Sequence, residues 1–323
     1  MEFRASPVES LVNLSKLISI IIPAYNEEDC LIELKTRLNS IFEIESHYSF
    51  EVIIIENGST DSTWKICQEI ASKDSRFKIL KLSRNFRMDG GLTAGLHYVA
   101  GDACIFMTAD LQDPPEMISE FLRKWEQGFH NVYGKIISRK TSKLLRRINS
   151  RLFYFIANKF AKDYIISGVS DFRLMDKKAY EALRNMPESN RFMRAMSAWV
   201  GFKSIGIDLE RPPRFGGKSN ADTFKVLDLA IKGILAFSNL PLRLGTLLGA
   251  FLFTISFISL PFFAFFWIIR GVPFAGFGSL VSIFLILFSL LTVIISLIGE
   301  YIGLIYDEVK MRPKFIVEET IGL

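Results

Sequence analysis

Cysteine and histidine are scarce, with three of each among 323 residues. Cys30, Cys67 and Cys104 are widely spaced in apolar patterns and form no metal-ligand or redox motif. That excludes a disulfide scaffold and leads us to expect buried thiols in a reducing compartment. His47, His97 and His130 do not cluster, so they are read as surface or packing residues. A secretory leader is not expected. Met1 to Lys16 carries Glu2, Arg4 and Glu9 and lacks a continuous apolar core. Two further absences are regional. Between Leu240 and Gly299 there is no acidic residue, and the only charges are Arg243 and Arg270. From Arg139 to Lys162 there is again no Asp or Glu, but eight cations: Arg139, Lys140, Lys143, Arg146, Arg147, Arg151, Lys159 and Lys162. That block alone exceeds the net charge of +5, so the rest of the chain is slightly acidic.

What is abundant is apolar. Half the residues are hydrophobic and the mean hydropathy is +0.27, high for a soluble globular chain. The excess sits in two runs, Leu240 to Ile269 and Phe277 to Tyr306, each longer than the ~20 residues needed to span hydrocarbon. The short linker after Arg270 makes the pair a helical hairpin. Lys225, Lys232 and Arg243 before it, and Lys310, Arg312 and Lys314 after it, predict that both ends face the cytoplasm. Glu300 is expected to snorkel near the cytoplasmic interface. The basic stretch at 139–162 and the stripe of Phe224, Leu227, Ile231 and Leu235 read as amphipathic helices lying in the headgroup plane. With apolar spans nearby, lipid surface or lipid phosphate is preferred over nucleic acid as the basic partner.

Before this region, short apolar β-branched runs alternate with helical patterns. Leu17 to Pro23, Glu51 to Ile55, Phe77 to Leu82 and Ala103 to Met107 read as buried strands. Glu27 to Phe42, Ser62 to Ser72 and Gly90 to Ala100 read as helices. This βαβαβαβ pattern predicts an α/β domain with a mainly parallel sheet, whose ligands bind beyond the carboxyl ends of the strands. At those ends lie Pro23-Ala-Tyr-Asn-Glu-Glu28, Glu56-Asn-Gly-Ser-Thr-Asp61 and Thr108-Ala-Asp-Leu-Gln-Asp-Pro-Pro-Glu116. A carboxylate after the fourth strand suits a hard divalent cation bridging a nucleotide diphosphate. A tyrosine after the first can stack on a base, and a carboxylate after the second can accept from base or ribose. Asp61 is read as the N-cap of the second helix.

In that order, SIIIPAYNEE, ENGSTD, LSRNF (Leu82 to Phe86) and ADLQDPPE resemble the inverting family 2 glycosyltransferases with the GT-A (Rossmann-like) fold. More narrowly, they are similar to the polyisoprenyl-phosphate glycosyltransferases, the group holding dolichol-phosphate mannose synthase and bacterial GtrB-type enzymes. SDFRLMD (Ser170 to Asp176), NRFMRAMSAWVGF (Asn190 to Phe202), RFGGKS (Arg214 to Ser219) and the two terminal spans extend the likeness to nearly the whole chain after Lys16.

The resemblance implies a division into an extension (1–16), a GT-A domain (17–221), a juxtamembrane helix (222–239), two transmembrane helices (240–306) and a cytoplasmic tail (307–323). It implies that Pro23, Tyr25, Glu27, Glu56, Arg84 and Asp110 bind the nucleotide-sugar, and that Asp110 and Gln112 hold Mg²⁺ or Mn²⁺. Arg139, Arg146, Arg147, Arg151, Arg214 and Ser219 would hold the acceptor phosphate, with Asp110, Asp171 and Arg214 as the catalytic set. Asp171 is read as orienting an acceptor-site arginine rather than as a general base. The loop from Arg211 to Asn220, with Phe215 at its tip, is read as a mobile acceptor-site lid.

The sequence departs from the family pattern in having Thr108 for the first aspartate of Asp-x-Asp, Glu56-Asn57 for Asp-Asp, and Ile136 for an arginine. The implied reaction is inverting transfer of a hexose, glucose as the leading choice, from a UDP-sugar to a polyprenyl phosphate such as undecaprenyl phosphate. The implied place is the cytoplasmic face of a bacterial-type inner membrane, in a homo-oligomer. Thr108 leaves a non-catalytic nucleotide-sugar-binding membrane protein as an alternative. A processive polysaccharide synthase is a second, although Gln-x-x-Arg-Trp is missing.

Overall fold

The computed structural model describes residues 15–138, 168–189, 191–212 and 276–323, with single helical positions between 251 and 269. Four strands alternate with helices as the periodicity predicts. They are β1 (Leu17–Ala24), α1 (Leu31–Ile44), β2 (Ser49–Glu56), α2 (Thr63–Lys73), β3 (Phe77–Leu82), α3 (Arg87–Tyr98) and β4 (Ala103–Phe106). α1 starts later than expected because Glu27 and Cys30 form a turn first, with the Cys30 N–H on the Glu27 carbonyl at 3.0 Å. Then come α4 (Met117–Glu126), β5 (Asn131–Ser138), β6 (Val169–Asp176), α5 (Lys177–Arg184), α6 (Met193–Trp199) and β7 (Ser204–Glu210). A long helix, α7 (Phe277–Val309), and a last strand, β8 (Val317–Ile321), complete the described chain.

The eight strands form one sheet in the order β7-β5-β6-β4-β1-β2-β3-β8. β4, β1, β2 and β3 are mutually parallel, while β6 and β8 run against their neighbours. Both faces are covered, which is why β1 and β2 are continuous apolar runs rather than alternating ones. Ile18, Ile20 and Ile22 face α1, α2 and α4 through Leu34, Leu38, Ile70 and Phe121. Ile21, Ile53 and Ile55 face α3, α5 and α6 through Leu92, Leu96, Leu183 and Met196. Cys30, Cys67 and Cys104 are buried free thiols, as expected. Asp61 does not occupy the N-cap of α2. Ser62 does, and Asp61 Oδ1 accepts the Thr63 N–H at 3.0 Å from one residue earlier.

The segment 307–323, expected as a tail, instead ends in β8, which pairs antiparallel with β3 through Leu80↔Thr320 and Lys81↔Glu319. The end of α7 is strapped to the same body. Glu308 accepts the Ser189 N–H at 2.7 Å, and Ile316 accepts the Ser83 N–H at 3.0 Å. Among the described residues no helix is long and apolar enough to cross a membrane. Most of the first expected span lies outside them, as do several side chains of α7. The described structure therefore does not show the two-helix hairpin. The basic segment 139–162, the helix 222–239 and the loop tip at Phe215 also lie outside it.

α3 approaches β1 closely because Gly95 has no side chain. A Cβ there would collide with Ile21 Cγ2 and lie 2.9 Å from Ile55 Cδ1. Gly95→Val is expected to destabilise the fold by about 1–3 kcal/mol through overpacking, read as a lower thermal unfolding midpoint.

Candidate active site

The register aligns the carboxyl ends of the strands. Ala24 lies opposite Glu56 and Ile21 opposite Phe106, so the turns after β1, β2 and β4 share one edge. β6 runs against β4 and therefore begins at that edge, while β7, parallel to β5, ends there. The turn after β1 and the turn after β2 interlock. Thr60 N–H donates to Asn26 Oδ1 at 2.8 Å, and Asn26 N–H to Ser59 Oγ at 3.1 Å. Asn26 adopts φ 55, a left-handed conformation that asparagine tolerates. Asn57 clamps the third turn. Its Oδ1 accepts the Phe86 N–H at 2.9 Å and its Nδ2 donates to the Arg87 carbonyl at 3.0 Å. Gly58 makes this packing feasible, since a Cβ there would lie 2.7 Å from the Arg84 backbone.

Of the residues expected at the nucleotide, Pro23 is buried at the end of β1 and Tyr25 is partly exposed just beyond it. Glu27 is buried, and its N–H donates to Thr63 Oγ1 at 2.9 Å. Glu56 is buried and accepts the Ser59 N–H through Oε1. Arg84 is exposed and lies over the Phe86 ring at 4.0 Å. These residues gather on one side of the edge.

On the turn after β4, Asp110 and Gln112 are partly exposed, and Leu111 between them adopts φ 59. Asp110 Oδ1 accepts from Thr108 Oγ1 at 2.7 Å and from the Gln112 N–H at 3.2 Å. Thr108 Oγ1 also lies 2.8 Å from Oδ2 of the fully buried Asp113. Among the described residues no group of three or more His, Cys, Asp or Glu could hold a metal.

Asp171, at the start of β6, is paired with Arg194 of α6, whose Nε lies 3.1 Å from Oδ1. Burial pushes the Asp171 carboxyl up, but the charges of Arg194, Arg173 and Arg211 and the Arg194 hydrogen bond hold it below the ordinary carboxylate value. Arg173 is buried, with NH2 on the Ser170 carbonyl at 2.9 Å, and burial lowers it to about 10. Arg211, just past β7, pairs with Asp113 at 2.9 Å. Arg139, Arg146, Arg147, Arg151, Arg214 and Ser219 lie outside the described residues. Nothing in the sequence by itself singles out Asp89, Asp113, Arg173 or Arg194, and Arg211 enters there only as the first residue of the expected lid loop. Asp113 looked like ordinary Asp-Pro-Pro turn chemistry, and the arginines sat in segments whose spacing alone gives no partner.

Comparison with known proteins places the chain among relatives. Residues 19–184 match the family described as glycosyl transferase family 2. An uncharacterized glycosyltransferase of Synechocystis sp. is 37% identical over 95% of this chain and 96% of its own. A prophage-derived bactoprenol glucosyl transferase of Shigella flexneri is 35% identical over 94% of this chain and 98% of its own. Among solved structures, glucosyl-3-phosphoglycerate synthase from Mycobacterium tuberculosis aligns with a TM-score of 0.49 and 15% identity, over 68% of this chain and 76% of that one.

Asp89, in the first turn of α3, joins the two sides by accepting the Met193 N–H at 3.0 Å. Burial raises its carboxyl to about 6 from the ordinary 3.8. The folded state then binds the proton more tightly than the unfolded chain does. Stability is expected to fall as pH rises from about 4 to about 6 and to level off above that. In Asp89→Asn this loss is expected to disappear. The midpoint difference between variant and wild type should grow across that window in thermal unfolding scans.

A parallel edge with these interlocked turns, read with the family match and full-length relatives, identifies the chain as a member of glycosyl transferase family 2, an enzyme with an α/β GT-A fold.

Proposed function

We propose that the enzyme transfers a hexose, glucose as the leading choice, from a UDP-sugar to a polyprenyl phosphate such as undecaprenyl phosphate, at the cytoplasmic face of a bacterial inner membrane. The observation that carries this reading is the division of the site edge into two chemically distinct halves. Glu56, Tyr25 and the Asp110 turn form one half, suited to a nucleotide and its diphosphate. Arg194 and Arg211, both partly exposed, form the other, suited to an anionic acceptor. Planar guanidinium forks match phosphate oxygens in pairs. The Shigella flexneri relative, a bactoprenol glucosyl transferase, supports the same acceptor class.

Little proton chemistry is required. A lipid monophosphate has its second pKa near ~6, so its oxygen is largely anionic at neutral pH and attacks the anomeric carbon without a strong base. The task is to bring two anionic groups together, which is positioning and electrostatics. Asp171, paired with Arg194 and held anionic, fits an orienting role better than that of a base. One-step attack inverts the anomeric centre.

The oxygen donors of Asp110 and Gln112 suit Mg²⁺ or Mn²⁺. Such ions bind one or two carboxylates and take their remaining ligands from water and substrate phosphates. With Thr108 engaged between Asp110 and Asp113, the protein offers the ion one carboxylate rather than two. When bound, the cation stabilises the departing diphosphate.

Membrane attachment completes the reading, with two spans within 240–306. The support for this is in the sequence, where the runs Leu240 to Ile269 and Phe277 to Tyr306 each exceed the ~20 residues a span needs. Several apolar side chains of α7, among them Ile286 and Phe288, are exposed.

Full-length protein given radiolabelled UDP-glucose and undecaprenyl phosphate is expected to produce lipid-extractable label. Asp110→Ala is expected to lower that rate by at least about a hundredfold, the scale of a lost electrostatic contact to the leaving group. Binding of UDP-glucose without any labelled lipid would instead favour a non-catalytic nucleotide-sugar protein. Unchanged transfer by Asp110→Ala, with or without chelator, would show that the cation site lies elsewhere.

A further inference from the structure

Asp113 is fully buried, and its two oxygens face different halves of the site. Oδ2 takes the Thr108 N–H at 3.1 Å and lies 2.8 Å from Thr108 Oγ1, whose hydroxyl in turn reaches Asp110. Oδ1 takes Arg211 NH2 at 2.9 Å and lies 3.5 Å from Ser170 Oγ, on the residue before Asp171. Arg211 immediately follows β7 and opens the segment that runs on to Arg214. A buried charge is costly unless paired, so removing either partner leaves the other uncompensated. Burial raises the Asp113 carboxyl, and the Arg211 charge with the Thr108 hydrogen bonds opposes that rise. The carboxylate thus forms the shared member of two contacts, one to the donor turn and one to the acceptor side.

We propose that Asp113 is a positioning residue that locks the acceptor-side segment leaving β7 to the Asp110 turn, so that donor and acceptor phosphates are held in one frame. Thr108 is the donor-side half of this link. Its N–H donates to Asp113, and its hydroxyl, which has one proton to give, lies between Asp113 and Asp110 where a third carboxylate would be repelled. Asp113 touches neither substrate. Its effect passes through Arg211 on one side and Thr108 on the other.

The proposal rests on the reaction given above, so its test separates the two. In full-length protein, Asp113→Asn and Arg211→Met are each expected to raise the KM for undecaprenyl phosphate about tenfold, as for a lost charged hydrogen bond. The KM for UDP-glucose should stay within about twofold. The double variant is expected to be no worse than Arg211→Met alone, because that change already removes the Asp113 contact. Arg211→Lys is expected to recover part of the loss. Donor and acceptor KM rising together, neither changing, or multiplying effects in the double variant would overturn the link. If wild-type protein transfers no sugar to the lipid, the functional reading fails by itself, and the link is then read by hydrogen exchange. UDP with Mn²⁺ should slow exchange at residues 204–211 in wild type but not in Asp113→Asn. Equal protection in both, or none at 204–211 in wild type, would refute it.

Discussion

The site depends on strand register. Because β1 pairs with β2 at Ala24↔Glu56 and with β4 at Ile21↔Phe106, three turns of different sequence end at one level. A shift of one residue in any of these pairings would turn its alternating side chains to the opposite face of the sheet. It would also move Glu56 or the Asp110 turn away from Tyr25. The register is held by burial on both faces, since Ile18, Ile20, Ile21 and Ile22 are all fully buried. The interlocked turns add a second constraint. Asn26 is joined to the Ser59 and Thr60 turn, and Asn57 to Phe86 and Arg87, so the loops at the edge brace one another.

Charge is arranged at this edge so that most acidic groups already have a partner. Asp171 is matched by Arg194, Asp113 by Arg211, and Asp89 by a backbone N–H. The arginines are thereby fixed in direction by carboxylates behind them. A planar guanidinium held in one direction presents its paired N–H groups in a set geometry. Fixing them in advance lowers the ordering cost at the moment of binding. It also explains why Asp171 is a poor candidate for a base, since the arginine charges around it hold its carboxyl below the ordinary value.

Much of the framework was legible because it is local. Strands β1 to β4 are short β-branched runs, and the turns beyond them carry residues whose chemistry is visible one segment at a time. Pro23, Tyr25, Glu27, Glu56 and Asp110 could be placed on one edge from the parallel-sheet rule alone. Asp113, Arg194 and Arg211 could not, because their meaning lies in pairing across 23 residues for Asp171 with Arg194 and 98 for Asp113 with Arg211. No periodicity encodes such contacts. β8 was missed for a related reason. VEETI is a polar edge strand with only its ends apolar, so it lacks the hydrophobic run that announced β1 and β2.

The position of β8 has a topological consequence for the apolar region. The chain leaves the sheet after β7 at Glu210 and rejoins it at Val317, so everything between is an excursion from one rigid body back to itself. An excursion of that kind can cross a bilayer only an even number of times. If α7 crosses, a second crossing must precede it, and the run from Leu240 to Ile269 has the length and composition for it. The strap at the end of α7 sharpens the point. Glu308 is bonded to Ser189, and the Phe315 ring lies 6.0 Å from that of His97 on α3. A helix emerging from lipid would therefore be fixed directly against the body whose edge carries the site. The end of that helix would then be held to the body by packed side chains rather than by a flexible linker.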